Sequence, residues 1–246
     1  MINRPMDLKT FSKETIVAEA SKALNDLFSE QKQQGKDFLF LSSGGSSLSL
    51  LDGLDSANFG LNSTIGVLDE RYSLDPNVNN LAQLQKSKFY QDIIKKGARV
   101  IDTTVHDGES PKDLAVRFEK QLKDWVDCTH GVIIASVGVG PDAHTSGIMP
   151  YPENKKFFDE KFNDKSHWVT EYDAEDKNPH RMRVTTTFPF LKKIDHAVIF
   201  ISGESKKEAL KKLLAEEGSL YESPCRIWRG MPEANMVQVF TDQVLY

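Results

Sequence analysis

Apolar residues recur at helical spacing over residues 13–34, where Ile16, Ala20, Ala23, Leu24, Leu27 and Phe28 fall on one stripe and Gly35 supplies a stop. The run Phe38-Leu39-Phe40-Leu41 follows, uninterrupted by polar residues, the pattern of a short strand covered on both faces. Ile65-Gly66-Val67-Leu68 predicts a second strand, and a helical pattern covers much of 78–96, with ends blurred by Tyr90 and Gly97. Residues 111–125 give a cleaner helix: Pro111 opens it, and Leu114, Phe118, Leu122 and Trp125 share a face. The clearest buried strand is 131–137. Further on, 183–187 reads as extended, 197–202 as a strand ended by Gly203, 205–216 as a helix, and 237–241 as a last strand.

Strands alternate with helices. That alternation predicts an α/β fold, a mostly parallel sheet with helices on both faces, Rossmann-like, in a single domain over residues 1–246. The polar segment 151–180 breaks the rhythm. It is expected to be an insertion, a lid or a loosely packed connection.

Composition then removes whole classes of function. The net charge is -5 and no Lys/Arg-rich run stands out, so no nucleic-acid partner is expected. No stretch approaches the roughly 18 apolar residues of a membrane span, and the first residues lack the apolar core of a signal peptide. The expected setting is therefore cytoplasmic, with no membrane partner. Two cysteines, Cys128 and Cys225, and six scattered histidines exclude a disulfide framework and show no metal-ligand spacing. No metal and no cofactor are expected. An acidic chain that takes an anion must hold it locally, with a few placed cations and backbone N–H groups.

Three polar clusters follow predicted strands, where open α/β sheets bind their ligands. In Gly44-Gly45-Ser46-Ser47 the two glycines allow close backbone approach to an anion, and a helix expected to start near Ser47 would aim its N–H groups there. The same residues equally suit an ordinary tight turn. Asp69-Glu70-Arg71 supplies a carboxylate and a guanidinium, although such runs are commonly solvated strand ends. Gly138-Val139-Gly140-Pro141-Asp142-Ala143 fits a dinucleotide pattern, but Gly147, Pro150 and Pro152 interrupt the helix that pattern requires. It reads instead as a glycine-rich loop that positions Asp142 and His144, the latter a candidate general base near neutral pH. Arg183 and Lys206 are candidate phosphate cations, and either is also an ordinary surface charge. Residue by residue, the chain yields an anion site with a base and stops short of a substrate.

In order along nearly the whole chain, these motifs resemble those of the 6-phosphogluconolactonase family, within the larger group that includes glucosamine-6-phosphate deaminase. Leu41 to Ser47 resembles its first phosphate loop, and Asp69-Glu70-Arg71-Tyr72 with Asp75-Pro76 and Asn79 resembles its DERY…DP…SN block. Gly138 to Thr145, ending at Pro150, resembles GxGxDGHTASLFP; Arg183 to Thr187 resembles RITLT; Gly203 and Lys206 resemble GxxK. Five residues past the histidine, where the deaminases carry a glutamate, this chain has Met149, apolar as in the lactonases. It departs from the pattern at Ala143, where the family has glycine, at Ser146 to Met149, at Val78 and at Ser47-Leu48.

The resemblance implies hydrolysis of 6-phospho-D-glucono-1,5-lactone to 6-phosphogluconate, in the oxidative pentose phosphate pathway. His144 would be the base, with Asp142 or Asp69 orienting it. Gly44, Gly45, Ser46, Ser47, Arg71, Arg183 and Lys206 would bind the substrate and its phosphate, and backbone N–H groups of 138–140 would face the oxyanion. The expected partner is a small sugar phosphate, bound by a monomer or homodimer. The rival readings are an amino-sugar phosphate deaminase or aldose–ketose isomerase on the same scaffold, and a non-catalytic sugar-phosphate sensor.

Overall fold

A computed structural model describes residues 6–245. Among the described residues ten strands are formed: β1 (Asp7–Thr10), β2 (Phe38–Ser42), β3 (Ser63–Val67), β4 (Asp69–Arg71), β5 (Arg99–Val100), β6 (Val132–Gly138), β7 (Val169–Asp173), β8 (Met182–Thr186), β9 (His196–Ile201) and β10 (Met236–Thr241). The α-helices are α1 (Ile16–Gln33), α2 (Asn80–Gln85), α3 (Lys88–Lys95), α4 (Pro111–Thr129), α5 (Lys155–Phe158), α6 (Phe188–Leu191) and α7 (Lys207–Leu214).

Seven strands make one parallel sheet in the order β1-β10-β9-β6-β2-β3-β5. Helices cover both faces, as the alternation predicted. The side chains of β2 show why its apolar run is uninterrupted. Phe38 and Phe40 enter the core beneath α1, with Phe28 and Leu24, while Leu39 and Leu41 enter the core beneath α4, with Phe118 and Leu122. Each such buried side chain contributes about 1.5–3 kcal/mol by leaving water. Phe28 packs on Phe38 and Phe40 at centroid distances of 5.6 and 4.9 Å. Helix α4 starts at a capping box between Ser110 and Asp113 with Pro111 in its first turn, and ends where His130 turns left-handed at φ 48°.

A second sheet, antiparallel and in the order β4-β8-β7, was not anticipated. The chain enters it directly from β3. Leu68 donates its N–H to Ser42 O in the first sheet, and its own carbonyl accepts from Thr186 in the second. Segment 151–180 supplies the outer strand of this sheet. Phe158, Phe162 and Tyr172 are buried in the same core as α4, so the segment is neither a lid nor a loose connection. Its polar sequence covers an exposed outer face while a few aromatics anchor the inner one.

Other expectations are adjusted locally. The turn after Gly44 leads into a 3-10 helix, Gly45–Gly53, rather than an α-helix near Ser47. The pattern over 78–96 resolves into two helices, because Ser87 adopts an extended conformation and caps the second through Tyr90 N–H. Among the described residues no helix is long and apolar enough to cross a membrane.

Candidate active site

The strand order reverses between β2 and β6, and a cleft of about 320 Å3 opens at the carboxyl ends of these neighbours. Residues 43–46, following β2, form one wall, and residues 138–141, following β6, form the adjoining floor. Lys206, from the turn after β9, reaches over to donate to Ser46 Oγ at 2.8 Å. Burial lowers the Lys206 pKa, against an opposing pull from Asp242. Ser47 is placed differently from expectation. It is fully buried, and a Cβ on Gly138 would lie 2.9 Å from its hydroxyl, so it stands behind the wall rather than on the cleft lining.

His144 rises from the floor. Its Nδ1 lies 2.6 Å from Asp142 Oδ1, and its backbone N–H reaches the same oxygen at 3.2 Å. Burial works to raise the Asp142 pKa, but the hydrogen bond and charge of His144 outweigh it and hold the carboxyl below its usual range. An ionised carboxylate can only accept, so Nδ1 is the donor, and in the neutral tautomer Nε2 is the nitrogen that carries the lone pair. The ring packs closely against Gly140, where a Cβ would sit 2.1 Å from its Cε1 and Nδ1. Ala143, in the place of the family's glycine, is left-handed at φ 73°, a conformation that costs a non-glycine residue about 1–2 kcal/mol.

The second sheet supplies the opposite wall. Asp69 on β4 pairs with Arg183 on β8, both almost wholly buried, and Asn80 Nδ2 donates to Asp69 O at 2.8 Å and to Oδ2 at 3.3 Å. Asp69 is thus engaged with a guanidinium, and Asp142 is the carboxylate on the imidazole. Arg71 stands opposite Arg183 in the strand register. Burial, then the Arg183 charge, lowers the Arg71 pKa. Gly147 closes the wall at φ 71°, where a Cβ would meet the Asp69 carboxylate at 2.7 Å.

A family model described as glucosamine-6-phosphate isomerases/6-phosphogluconolactonase matches residues 12–236. The chain belongs to this family. A curated 6-phosphogluconolactonase from a Nostoc species is 24% identical over 201 residues, covering 79% of this chain and 78% of that one. Among solved structures, a 6-phosphogluconolactonase from Shewanella baltica superposes with a TM-score of 0.76 at 16% identity, covering 98% of this chain and 99% of the other. One from Trypanosoma cruzi gives 0.75 at 16% identity, covering 98% and 96%. These likenesses establish a shared fold across nearly the whole length.

Met149, the residue that the resemblance sets against a deaminase glutamate, stands away from the cleft. It is fully buried in the core beside Tyr172. Several residues of the site escaped sequence reasoning. Asn80 and Asn178 line the cleft; Asn80 directly follows Asn79 of the DP…SN resemblance, whereas nothing in the flanking sequence marks Asn178. Glu70 is fully buried and accepts hydrogen bonds from the backbone of Arg71, Asn80 and Leu81 and from Thr103 Oγ1. Burial nevertheless pushes its pKa up to about 7, with those hydrogen bonds pulling the other way.

Proposed function

We propose that this chain hydrolyses 6-phospho-D-glucono-1,5-lactone to 6-phosphogluconate. The observation that carries the reading is the Asp142–His144 pair facing a cleft whose far rim holds Lys206 and Ser46. The names of the relatives agree with it. The proposal includes the oxidative pentose phosphate pathway, a cytoplasmic setting, and a monomer or homodimer acting on a free sugar phosphate.

The mechanism follows from the placement. Lys206, Ser46 and the backbone of Gly44 and Gly45 hold the remote phosphate, with Arg183 and Arg71 on the opposite wall supplying further positive charge. Anchoring that dianion fixes C1 relative to the base and removes orientational entropy from the chemical step. His144 Nε2 takes a proton from water as its oxygen bonds to C1. N–H groups of the 138–140 loop face the oxyanion. When the C1–ring oxygen bond breaks, the imidazolium returns the proton to the departing oxygen, and Asp142 stabilises the charged ring in between. A lactone carbonyl is already reactive toward water, so positioning and proton transfer are what the protein must add.

The competing reading on this scaffold, deamination of glucosamine 6-phosphate, calls by resemblance for a glutamate at the sequence position where this chain has Met149. The test is lactone hydrolysis followed against the uncatalysed background, with ammonia release from glucosamine 6-phosphate assayed alongside. The expected result is lactonase turnover without ammonia, and a kcat lowered by roughly a hundredfold or more in His144→Ala with little change in KM. Unimpaired turnover in that variant would remove His144 from the reaction. Binding of 6-phosphogluconate with no hydrolysis at all would make the chain a sensor.

A further inference from the structure

The segment 145–148 makes an unusual demand on the chain. Ser146 and Gly147 both have positive φ, 48° and 71°, and Ile148 N–H closes the turn onto Thr145 O at 2.8 Å. A pair of left-handed central residues is the conformation of a type I′ turn, and serine is poorly suited to the first of them. Two hydroxyls from the second sheet capture the carbonyls of these two central residues. Thr185 on β8 donates to Ser146 O, and Tyr172 on β7 donates to Gly147 O. The Tyr172 oxygen also accepts the Met149 N–H at 3.4 Å. Burial raises the Tyr172 pKa, so the phenol keeps the proton it donates.

The turn's position matters for the cleft. The Gly147 α-carbon forms the seat of the Asp69 carboxylate, which in turn holds Arg183. Tyr172 is also the strand-register partner of Arg183, whose other neighbour is Arg71. Tyr172 therefore touches the arginine wall from two directions, through the sheet and through the turn. His144 and Asp142 have supports besides the turn, Gly140 against the ring and Cys225 N–H donating to Ala143 O at 3.0 Å.

We propose that Tyr172, seconded by Thr185, is a positioning residue that sets the Ser146–Gly147 turn against Asp69 and so fixes Arg183 for anion binding. The proposal rests on the cleft being the sugar-phosphate site proposed above. On this reading segment 151–180 carries a phenol that shapes the substrate-binding wall without touching substrate.

The test compares Tyr172→Phe with Tyr151→Phe, which removes a hydroxyl from the same aromatic cluster whose hydrogen bond goes to Asp173 O at 3.4 Å, away from the turn. For each, KM and kcat for the phosphorylated lactone, the Kd for 6-phosphogluconate and for inorganic phosphate, and the thermal midpoint are measured. Tyr172→Phe is expected to raise KM and both Kd values about fivefold or more, with kcat within about threefold and the pH profile unmoved. Tyr151→Phe is expected to behave as wild type. If Tyr172→Phe fails to fold, Thr185→Val reads the same quantities and should shift them in the same direction. Wild-type KM and Kd in the folded variant, whatever its thermal midpoint, would overturn the proposal, as would a loss confined to kcat. Absence of lactone hydrolysis by the wild-type protein would sink the reaction instead, and the phosphate Kd values would still decide the role of Tyr172.

Discussion

Asp142 Oδ1 accepts two hydrogen bonds from one residue, the ring Nδ1 of His144 at 2.6 Å and its backbone N–H at 3.2 Å. The carboxylate thereby fixes both the tautomer of the ring and the backbone that carries it. Asp142→Asn keeps the shape but offers the ring a neutral acceptor, or, if the amide flips, a second donor. The expected outcome is a kcat lowered by about a hundredfold or more, with KM nearly unchanged. Steady-state kinetics on the phosphorylated lactone check this, and a variant that keeps half the wild-type kcat would show that the pair is only structural.

Lys206 is a cleaner probe of phosphate binding than Arg183. Removing Arg183 strands the buried Asp69 carboxylate, a loss worth about 3–5 kcal/mol for a broken buried pair, and folding would suffer with binding. Lys206 is only half-buried and its ammonium contacts Ser46 Oγ. A charge-assisted hydrogen bond contributes about 1.5–3 kcal/mol, so Lys206→Ala should raise KM for the phosphorylated lactone about tenfold or more. Unphosphorylated gluconolactone is the control. Equal effects on both substrates would place the phosphate elsewhere.

Glu70 predicts a pH dependence of stability. Its pKa in the folded protein, about 7, lies above the ordinary glutamate value of 4.5, so the folded state binds more protons than the unfolded chain between these two values. The contribution of this group is fully favourable below the lower value and is lost as pH rises through 7. Glu70→Gln lacks this titration but presents an amide donor toward Leu81 N–H or Thr103. The variant should be the less stable protein at pH 6, and the gap should narrow by pH 8. Urea unfolding of both proteins at the two pH values measures it, and a gap that widens with pH would mean that the hydrogen bonds outweigh burial.

What could be read from the sequence follows from how local its cause is. The helices α1 and α4 were legible because their apolar stripes repeat within the helix itself, and β2 because burial on both faces leaves an uninterrupted apolar run. His144 was legible as a base, but the choice between Asp142 and Asp69 as its partner was not, because two residues of spacing bring carboxylate and imidazole together only through the left-handed turn at Ala143. The strand Asp69–Arg71 was not, since its residues are polar and its partner strand lies more than a hundred positions away. The Asp69–Arg183 pairing, across 114 positions, is a product of the second sheet alone. Ser47 shows the opposite failure. Its neighbours suit an anion loop, yet the 3-10 turn after Gly45 rotates its hydroxyl behind Gly138.

The reversal of strand order between β2 and β6 has a consequence for how the protein loses function. The loops that carry Ser46, His144 and Lys206 spring from β2, β6 and β9, three adjacent strands in the middle of the sheet. Such strands exchange their amide protons only when the whole molecule opens, whereas edge strands fray on their own. Partial melting at β5 or β1 would leave these three side chains in register. Heat inactivation should therefore coincide with cooperative collapse of the chain, with no folded but inactive form preceding it.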